Sequence, residues 1–260
     1  MKIEVENVSF NYNSTSVLKD VTLKIEAGKM TCIIGPNGAG KTTFLKILAS
    51  ILMPTRGVVY IDGKDSRLYS PRDIAKIIAY SEPYISRSLP MTVLDFLSTA
   101  RYPYHNTLQY FESSEDLKII EEIARELDIV HLLGRKLDQI SSGELQRVLI
   151  AHALAKKPKI LLLDEPSAFL DIRYRFEILN YVKRYTVREG IATVVAIHDL
   201  HLASVYCDTV VLLDRGRIVA CGSPHEVFMD KVVEEVYGVE IEVIKIGDNT
   251  VIVVPKPKSN

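Results

Sequence analysis

The sequence has no long hydrophobic run, and this absence excludes one class of protein. No apolar stretch approaches the roughly 20 residues that a membrane-spanning helix needs, and the run at residues 191–197 is short enough to be a buried strand. Residues 1–5 alternate apolar and polar side chains, which indicates a strand and not the hydrophobic centre of a secretory signal. We therefore expect any membrane role to depend on a partner.

The chain also has almost no net charge and few cysteines. The chain carries 32 basic and 33 acidic residues, a formal net charge of −1, so no overall field points to nucleic acid or anionic lipid. The three cysteines, Cys32, Cys207 and Cys221, lack the spacing of a metal or redox motif. Cys32 lies in an apolar stretch, so we expect a buried free thiol there, and a reducing cytoplasm fits this usage best.

Residues 35–43 match the pattern G-x-x-x-x-G-K-[ST], and an apolar strand before them and a helix after them give the pattern physical meaning. Glycines let the backbone turn so that successive N–H groups face phosphate oxygens. The helix N-terminus adds partial positive charge. A chance glycine turn is the alternative, which the flanking elements disfavour. The predicted phosphate-binding residues are Gly35, Pro36, Asn37, Gly38, Ala39, Gly40, Lys41, Thr42 and Thr43.

Within this loop two side chains have distinct predicted roles. Lys41 would reach the β- and γ-phosphates, and the hydroxyl of Thr42 would be a ligand of Mg²⁺.

Further along, the aliphatic residues 160–163 are followed by Asp164 and Glu165, which places two acids at a sheet edge where open α/β folds bind ligands. One carboxylate can hold the water shell of Mg²⁺, and the other can orient an attacking water. Such acids often only cap the next helix, but beside a phosphate loop they favour a nucleotide site.

The order of elements predicts an α/β fold. Aliphatic strands alternate with helices, which indicates a mostly parallel sheet covered on both faces. Over residues 83–157 the strand patterns end, and apolar residues recur instead at the spacing of helices. One helix there should begin at Ser113 or Ser114. Its predicted apolar face consists of Leu117, Ile120, Ile123, Ala124 and Leu127.

With these motifs the chain resembles the nucleotide-binding subunit of an ATP-binding cassette (ABC) transporter over almost its whole length. The resemblance implies ATP and Mg²⁺ as cofactors, Asp164 as a ligand of Mg²⁺ and Glu165 as the catalytic glutamate. It also implies His198 as the switch histidine that contacts the γ-phosphate, and Tyr12 as the aromatic residue that stacks on adenine. Residues 167–171 match the D-loop of the family.

The implied fold is a P-loop NTPase core with a mostly parallel sheet, an N-terminal antiparallel β part and an inserted α-helical subdomain. We expect one domain over residues 1–260. Its ATP-binding core would be formed by 1–82 and 158–237, its helical subdomain by 83–157, and a C-terminal hairpin tail by 238–260.

Residues 140–147 resemble the signature motif of the family, whose turn faces the ATP bound by a second copy of the domain. The resemblance therefore implies a nucleotide-dependent homodimer. A turn that opens a helix also offers a positive helix end to phosphate. A simple helix cap, serine followed by glutamate three residues later, is the alternative, and both descriptions can hold. The residues of the turn are Ser141, Ser142, Gly143 and Glu144.

Two positions depart from the family pattern. Ser142 stands where the signature usually has glycine, so its side chain could weaken closure on the opposing phosphate or add a donor. At the Q-loop, Pro83 falls on the position of the usual glutamine, and a shift of one residue puts Glu82 there. Glu82 could supply an oxygen to Mg²⁺, but it adds negative charge beside the triphosphate.

Residues 101–105 and 236–240 resemble the branch that serves iron–siderophore, haem and cobalamin importers. The resemblance implies an ATP hydrolase, with Lys41, Glu165 and His198 as catalytic residues, that powers uptake of a metal chelate. The implied partners are integral membrane permease subunits and, indirectly, an extracytoplasmic substrate-binding protein, with no nucleic acid. The subunit would be cytoplasmic, peripheral on the inner face of the cell membrane.

Three alternatives stay open. One is a nucleotide-gated module that hydrolyses ATP weakly, and another is an importer ATPase for molybdate or another metal ion. The third is a soluble ABC protein that acts on ribosomes or DNA. A single short cassette with almost no net charge disfavours the third.

Overall fold

The computed structural model describes residues 1–82, 90–105, 113–246 and 250–256. Its strands are β1 (Ile3–Tyr12), β2 (Thr15–Ile25), β3 (Met30–Ile34), β4 (Arg56–Ile61), β5 (Lys64–Asp65), β6 (Ile78–Ser81), β7 (Ile160–Asp164), β8 (Ala192–Ala196), β9 (Thr209–Asp214), β10 (Arg217–Gly222), β11 (Ile241–Ile246) and β12 (Thr250–Pro255). Its α-helices are α1 (Lys41–Leu48), α2 (Pro71–Ile77), α3 (Val93–Thr99), α4 (Ser114–Glu126), α5 (Ser142–Ala155), α6 (Ile172–Glu189), α7 (Leu200–Tyr206), α8 (Pro224–Met229) and α9 (Val232–Tyr237).

A six-stranded sheet in the order β10-β9-β3-β8-β7-β6 forms the centre of the fold. Its neighbouring strands run parallel, except for β10, which pairs antiparallel with β9. Every residue of β7 is buried, because successive side chains enter different cores. Ile160 and Leu162 pack with α1 and the N-terminal strands, whereas Leu161 and Leu163 pack with the helices on the other face. The predicted parallel sheet, covered on both faces, is confirmed.

The N-terminal strands form a separate antiparallel sheet in the order β2-β1-β4-β5. The alternation at residues 1–5 indicates a strand, and β1 extends beyond it to Tyr12. Its pairing with β2 shifts register after Val5, after Val8 and after Phe10. These irregularities break the alternation of apolar and polar residues, which is why the sequence pattern ends too early.

Between β6 and β7 the described residues contain the helices α3, α4 and α5 and no strand. Ser113 caps α4, as one of the two predicted serines. The prediction for Leu117 was wrong, because its side chain is 39% exposed. The buried stripe of α4 runs through Asp116 and Ile119, and this rotation turns Leu117 towards solvent. The limits 83–157 for a helical subdomain remain our proposal.

The expectation of a free thiol at Cys32 was also wrong. Cys32 in β3 forms a disulfide with Cys207, which directly follows α7. Their Cα atoms lie 5.8 Å apart, although 175 residues separate them along the chain. No spacing of the cysteines along the chain predicts this pairing, because only the fold places the end of α7 beside β3. Cys221 is a free, exposed cysteine.

The C-terminal strands β11 and β12 form a hairpin, and Val251 and Val253 on β12 are buried in the core shared by the helices. Residues 247–249, which lie between these two strands in the sequence, are outside the described residues. None of the helices in the described part of the chain combines the length and apolar character required to cross a membrane.

Candidate nucleotide site

The phosphate-binding loop connects the end of β3 to the start of α1. Gly35 has a φ angle of 150°, and a Cβ atom there would overlap the carbonyl oxygen of Leu213 in β9. Gly40, with a φ angle of 107°, lies so close to Leu18 that a Cβ would approach its Cδ2 to 2.9 Å. Both positions therefore require glycine, because neither space nor backbone conformation admits a side chain. The tight path keeps the loop amides at the N-terminus of α1.

Lys41 is the first residue of α1, and its side chain folds back across the loop. Its Nζ donates hydrogen bonds to the carbonyl oxygens of Gly35 (2.8 Å) and Pro36 (3.0 Å). Burial lowers the pKa of Lys41, while the negative charges of Glu165 and Asp164 act in the opposite direction. The ammonium group thus lies inside the loop, where a phosphate oxygen can replace the carbonyl contacts.

Asp164 ends β7 and is 1% exposed. Burial raises the pKa of Asp164, as does the charge of Glu165, against the lowering effect of hydrogen bonding by Thr42 and Tyr80. Its Oδ1 is buried without a hydrogen-bond partner in the described part of the chain. A buried carboxylate oxygen of this kind is costly unless a positive charge faces it, so the site fits a divalent cation.

The residues that would hold Mg²⁺ are Asp164 and, through its hydroxyl, Thr42. Thr42 is the second residue of α1, and the influence of its side chain lowers the pKa of the nearby Asp164 carboxylate. Hard oxygen ligands from one carboxylate and one hydroxyl match the preference of Mg²⁺, which keeps its remaining ligands as water and phosphate oxygens. Bound there, Mg²⁺ would supply positive charge to the phosphate oxygens.

Glu165 and His198 meet because the strands that precede them are neighbours in the sheet. Asp164 of β7 pairs with Ala196 of β8, and the next residues of both strands extend past the same sheet edge. His198 Nε2 lies 2.7 Å from Glu165 Oε1. Glu165 has a φ angle of 50°, and its N–H donates to the carbonyl oxygen of Ala196 (3.0 Å). This backbone turn directs the carboxylate towards the edge that also carries the phosphate loop.

The predicted signature turn opens α5. The Ser141 hydroxyl accepts from the Glu144 N–H (3.2 Å), and the Glu144 carboxylate accepts from the Ser141 N–H (2.7 Å). Hydrogen bonding to the Glu144 carboxylate, from the Ser141 backbone N–H first and also from the Ser141 side chain, lowers the pKa of Glu144. The predicted capping arrangement is confirmed, and it holds the turn rigid while Ser141 and Ser142 remain exposed. A Cβ on Gly143 would contact the Phe169 carbonyl and the Leu170 side chain at 3.4 Å, so the turn packs against residues 167–171.

Glu82 and Tyr12 stand apart from this cluster. The carboxylate of Glu82 forms an ion pair with Lys46 of α1 at 3.1 Å, and Pro83, the other candidate for the Q-loop position, lies outside the described residues. Tyr12, at the end of β1, is 46% exposed and contacts Phe10 edge-on, with ring centroids 4.8 Å apart. Their roles remain predictions.

Two residues of the site had not been identified from the sequence. The Tyr80 hydroxyl donates to Asp164 Oδ2 (3.4 Å), and the Gln146 side-chain amide donates to the Glu165 carbonyl oxygen (3.3 Å). Gln146 is 2% exposed and lies on the buried side of α5. A polar residue among buried apolar neighbours was the available signal, since such residues need partners. The identity of the partner could come only from the fold.

Comparison with known proteins identifies close similarity along the chain. A family model described as ABC transporter matches residues 18–168. The petrobactin import ATP-binding protein YclP of Bacillus subtilis is 34% identical over 249 residues, which cover 96% of this chain and 98% of that protein. The hemin import ATP-binding protein HmuV of Thermobifida fusca is 35% identical over 238 residues, which cover 92% and 82% of the two chains.

Solved structures give the same result. A nucleotide-free ATP-binding cassette from an ABC transporter superposes with a TM-score of 0.79 at 26% identity, covering 91% of this chain and 99% of that one. A dimeric, post-hydrolysis cassette bound to ADP and phosphate superposes with a TM-score of 0.75 at 26% identity, covering 85% and 98%. The overall architecture predicted from the sequence motifs is therefore confirmed.

Proposed function

Because this chain belongs to the ABC transporter family, we propose that it is the ATP-hydrolysing subunit of an importer for a metal chelate, such as an iron–siderophore or haem. One observation carries the proposal. Lys41 in its loop, the buried Asp164 with an unpartnered oxygen, and the Glu165–His198 pair meet at one edge of a parallel sheet. The similarity to subunits that import petrobactin and hemin supports the class of cargo.

The residues have complementary tasks in hydrolysis. Loop amides and the Lys41 ammonium hold the β- and γ-phosphate oxygens, and this positioning supplies most of the catalysis in phosphoryl transfer. The Glu165 carboxylate orients a water molecule for in-line attack and accepts its proton. His198, already hydrogen bonded to Glu165 at 2.7 Å, fixes the carboxylate and places its ring near the γ-phosphate. Tyr12 would stack on the adenine.

The active unit in our proposal is a pair of copies. The exposed signature turn, with Ser141 and Ser142, would close on the triphosphate held by the loop of the second copy. Beside this turn, Phe169 and Ile172 are 67% and 75% exposed, an unusual exposure for large apolar side chains. A second copy would cover them. The dimeric cassette with ADP and phosphate supports this arrangement.

A groove of about 370 Å³ is the proposed docking site for a short cytoplasmic helix of the permease. Its lining includes Ile51 and Met53, which are 55% and 56% exposed, together with Ile74 of α2 and Tyr80 of β6. Apolar side chains spaced along a groove are suited to the apolar face of a helix. The groove adjoins Asp164 through Tyr80, so a docked helix would lie close to the site of hydrolysis.

Substitution of the proposed catalytic carboxylate tests the assignment. Glu165→Gln keeps the shape of the side chain but removes the proton acceptor, so we expect ATP turnover to fall at least about 100-fold. Binding should be retained, with the Kd for ATP within about threefold of the wild type. Phosphate release and equilibrium binding measure the two effects. The control is Glu189→Gln, at the exposed end of α6; normal turnover by Glu165→Gln would refute the assignment.

A weakly hydrolysing, nucleotide-gated module is the second candidate, because Glu82 is held by Lys46 and Ser142 occupies the signature turn. Steady-state phosphate release by the purified protein, alone and with its permease, distinguishes the two. The cargo is tested by uptake in proteoliposomes that contain the permease. Import of a ferric siderophore or haem would support our proposal, whereas import of molybdate alone would contradict it.

A further inference from the structure

Tyr80 is the one residue of β6 whose side chain reaches both the docking groove and the catalytic edge in the described structure. Its ring forms part of the wall of the groove, and its hydroxyl donates to Asp164 Oδ2 at 3.4 Å. β6 pairs in parallel with β7, with Tyr80 beside Leu162. The strand pairing therefore fixes the Tyr80 backbone two residues before the carboxylate that its hydroxyl contacts.

The hydrogen bond engages one oxygen of the carboxylate and leaves the other without a partner. Asp164 Oδ1 is buried with no hydrogen bond, while Oδ2 accepts from Tyr80. A donor on one oxygen restricts rotation of the carboxylate, so the bare oxygen keeps a constant direction. Preorganisation of this kind raises affinity for a cation, because less freedom is lost on binding.

The acidic residue that follows β6 has a different partner. Glu82 is paired with Lys46 at 3.1 Å, so its carboxylate is turned towards α1. Tyr80, in contrast, makes a direct contact with the carboxylate of Asp164. Tyr80 thus lines the proposed permease site and is hydrogen bonded directly to the proposed metal ligand.

We propose that Tyr80 is a positioning residue that orients Asp164 for the metal ion and makes metal affinity depend on what fills the groove. The inference rests on the proposed function, since it assumes a metal–nucleotide complex at Asp164. A displacement of the Tyr80 ring by an occupant of the groove changes the distance between its hydroxyl and Oδ2. An occupant of the groove thereby changes the hydrogen bonding of the metal ligand Asp164 without contacting the nucleotide.

Metal binding tests the positioning role without depending on turnover. We expect Tyr80→Phe to raise the Kd for Mn²⁺ in the presence of ATP about fivefold, the loss of one hydrogen bond to a charged group. Electron paramagnetic resonance of free Mn²⁺ measures this Kd when the Mn²⁺ bound by ATP alone is subtracted, as determined in a titration without protein. The Kd for ATP in EDTA should stay within twofold of the wild type, because the variant leaves the phosphate loop intact.

Tyr69→Phe is the matched control. Tyr69 lines the same groove, but its hydroxyl donates to the carbonyl oxygen of Ile61 at 3.2 Å. Its removal should leave the Mn²⁺ affinity unchanged. Equal Mn²⁺ affinity in Tyr80→Phe and the wild type would overturn the role of Tyr80. If the wild type binds no Mn²⁺ with ATP, the proposed function itself fails, and this inference fails with it.

A label in the groove tests the connection to it. Met53→Cys in a Cys221→Ser background gives an exposed thiol in the groove, to which a bulky maleimide can be attached. We expect the label to change the Kd for Mn²⁺ at least threefold when Tyr80 is present. The change should disappear when Tyr80→Phe is added. No change with Tyr80 present, or the same change in both backgrounds, would refute the coupling.

Discussion

At the scale of single residues, the site depends on backbone positions that side chains hold in place. Glu165 has a φ angle of 50°, a left-handed conformation that is unfavourable for a residue with a side chain. Its N–H donates to the Ala196 carbonyl oxygen (3.0 Å), and its own carbonyl oxygen accepts from the Gln146 side chain (3.3 Å). The backbone that carries the proposed catalytic carboxylate is therefore held by three hydrogen bonds, the third donated by the Ala168 N–H to the same carbonyl oxygen (3.0 Å).

Gln146→Leu removes the hydrogen bond from α5, while the Glu165 carbonyl oxygen keeps its hydrogen bond from the Ala168 N–H (3.0 Å). We expect kcat for ATP hydrolysis to fall about tenfold, because small misplacement of a catalytic group is costly. The Kd for ATP should be unchanged, since the phosphate loop is not touched. Gln139→Leu, at an exposed position of the same region, serves as the control. A parallel loss of ATP affinity would indicate general disruption instead.

At the scale of elements, Arg101 and His105 form a buried ionic cluster with Asp116 at the start of α4. Arg101 Nε donates to Asp116 Oδ1 (2.7 Å), and His105 Nε2 lies 3.1 Å from Asp116 Oδ2. Burial acts to raise the pKa of Asp116, but hydrogen bonds from Arg101, Ser113 and His105 outweigh it and lower the pKa to about 2. The cluster joins the end of α3 to α4, and Arg101 also bonds to the Ala155 carbonyl at the end of α5 (3.0 Å).

Asp116→Asn leaves the Arg101 guanidinium buried without its counter-charge. We expect the free energy of unfolding at pH 7 to fall by about 3 kcal/mol, as for other broken buried ion pairs. The folded pKa is lower than the ordinary value, so this stability is present above about pH 4 and is lost as the pH falls towards 2. Denaturant unfolding should show that loss in the wild type and not in the variant.

Asp138→Asn, at an exposed position, provides the control for this series and should retain the wild-type pH dependence. The idea would be wrong if Asp116→Asn and the wild type lost stability in parallel between pH 4 and pH 2. In that case the acid sensitivity would arise elsewhere in the chain.

At the scale of the whole molecule, the order of strands decides which distant segments meet. β3 lies between β8 and β9, so the phosphate loop after β3 adjoins His198 after β8. The same placement brings Cys32 in β3 to Cys207 after α7, where they form a disulfide across 175 residues. The disulfide therefore links β3, which leads into the phosphate loop, to the end of α7. This helix follows His198, the proposed switch histidine.

Cys207→Ser should lower the free energy of unfolding of the oxidised protein by about 3 kcal/mol, because the bond closes a long loop in the unfolded chain. Dithiothreitol should abolish the difference from the wild type. Cys221→Ser, at the exposed free cysteine, should have no effect. Thiol titration in denaturant gives the independent check: one reactive thiol before reduction and three after it. Three thiols in oxidised protein would contradict the pairing.

The sequence by itself determined the strand–loop–helix of the phosphate site, the acids that end β7 and the serine cap of α5. Each of these depends on neighbours within a few residues, so local spacing and side-chain chemistry were sufficient. The same local logic failed for Leu117, because α4 is rotated by its buried Asp116, and for Cys32, whose partner lies far along the chain.

Only the tertiary structure decided which distant side chains act together. Tyr80 reaches Asp164 because β6 and β7 are paired, and Gln146 reaches Glu165 because α5 packs beside the end of β7. Glu82 turns to Lys46 because α1 lies beside the end of β6. Such contacts depend on the order of strands and the packing of helices, which short-range patterns in a chain do not contain.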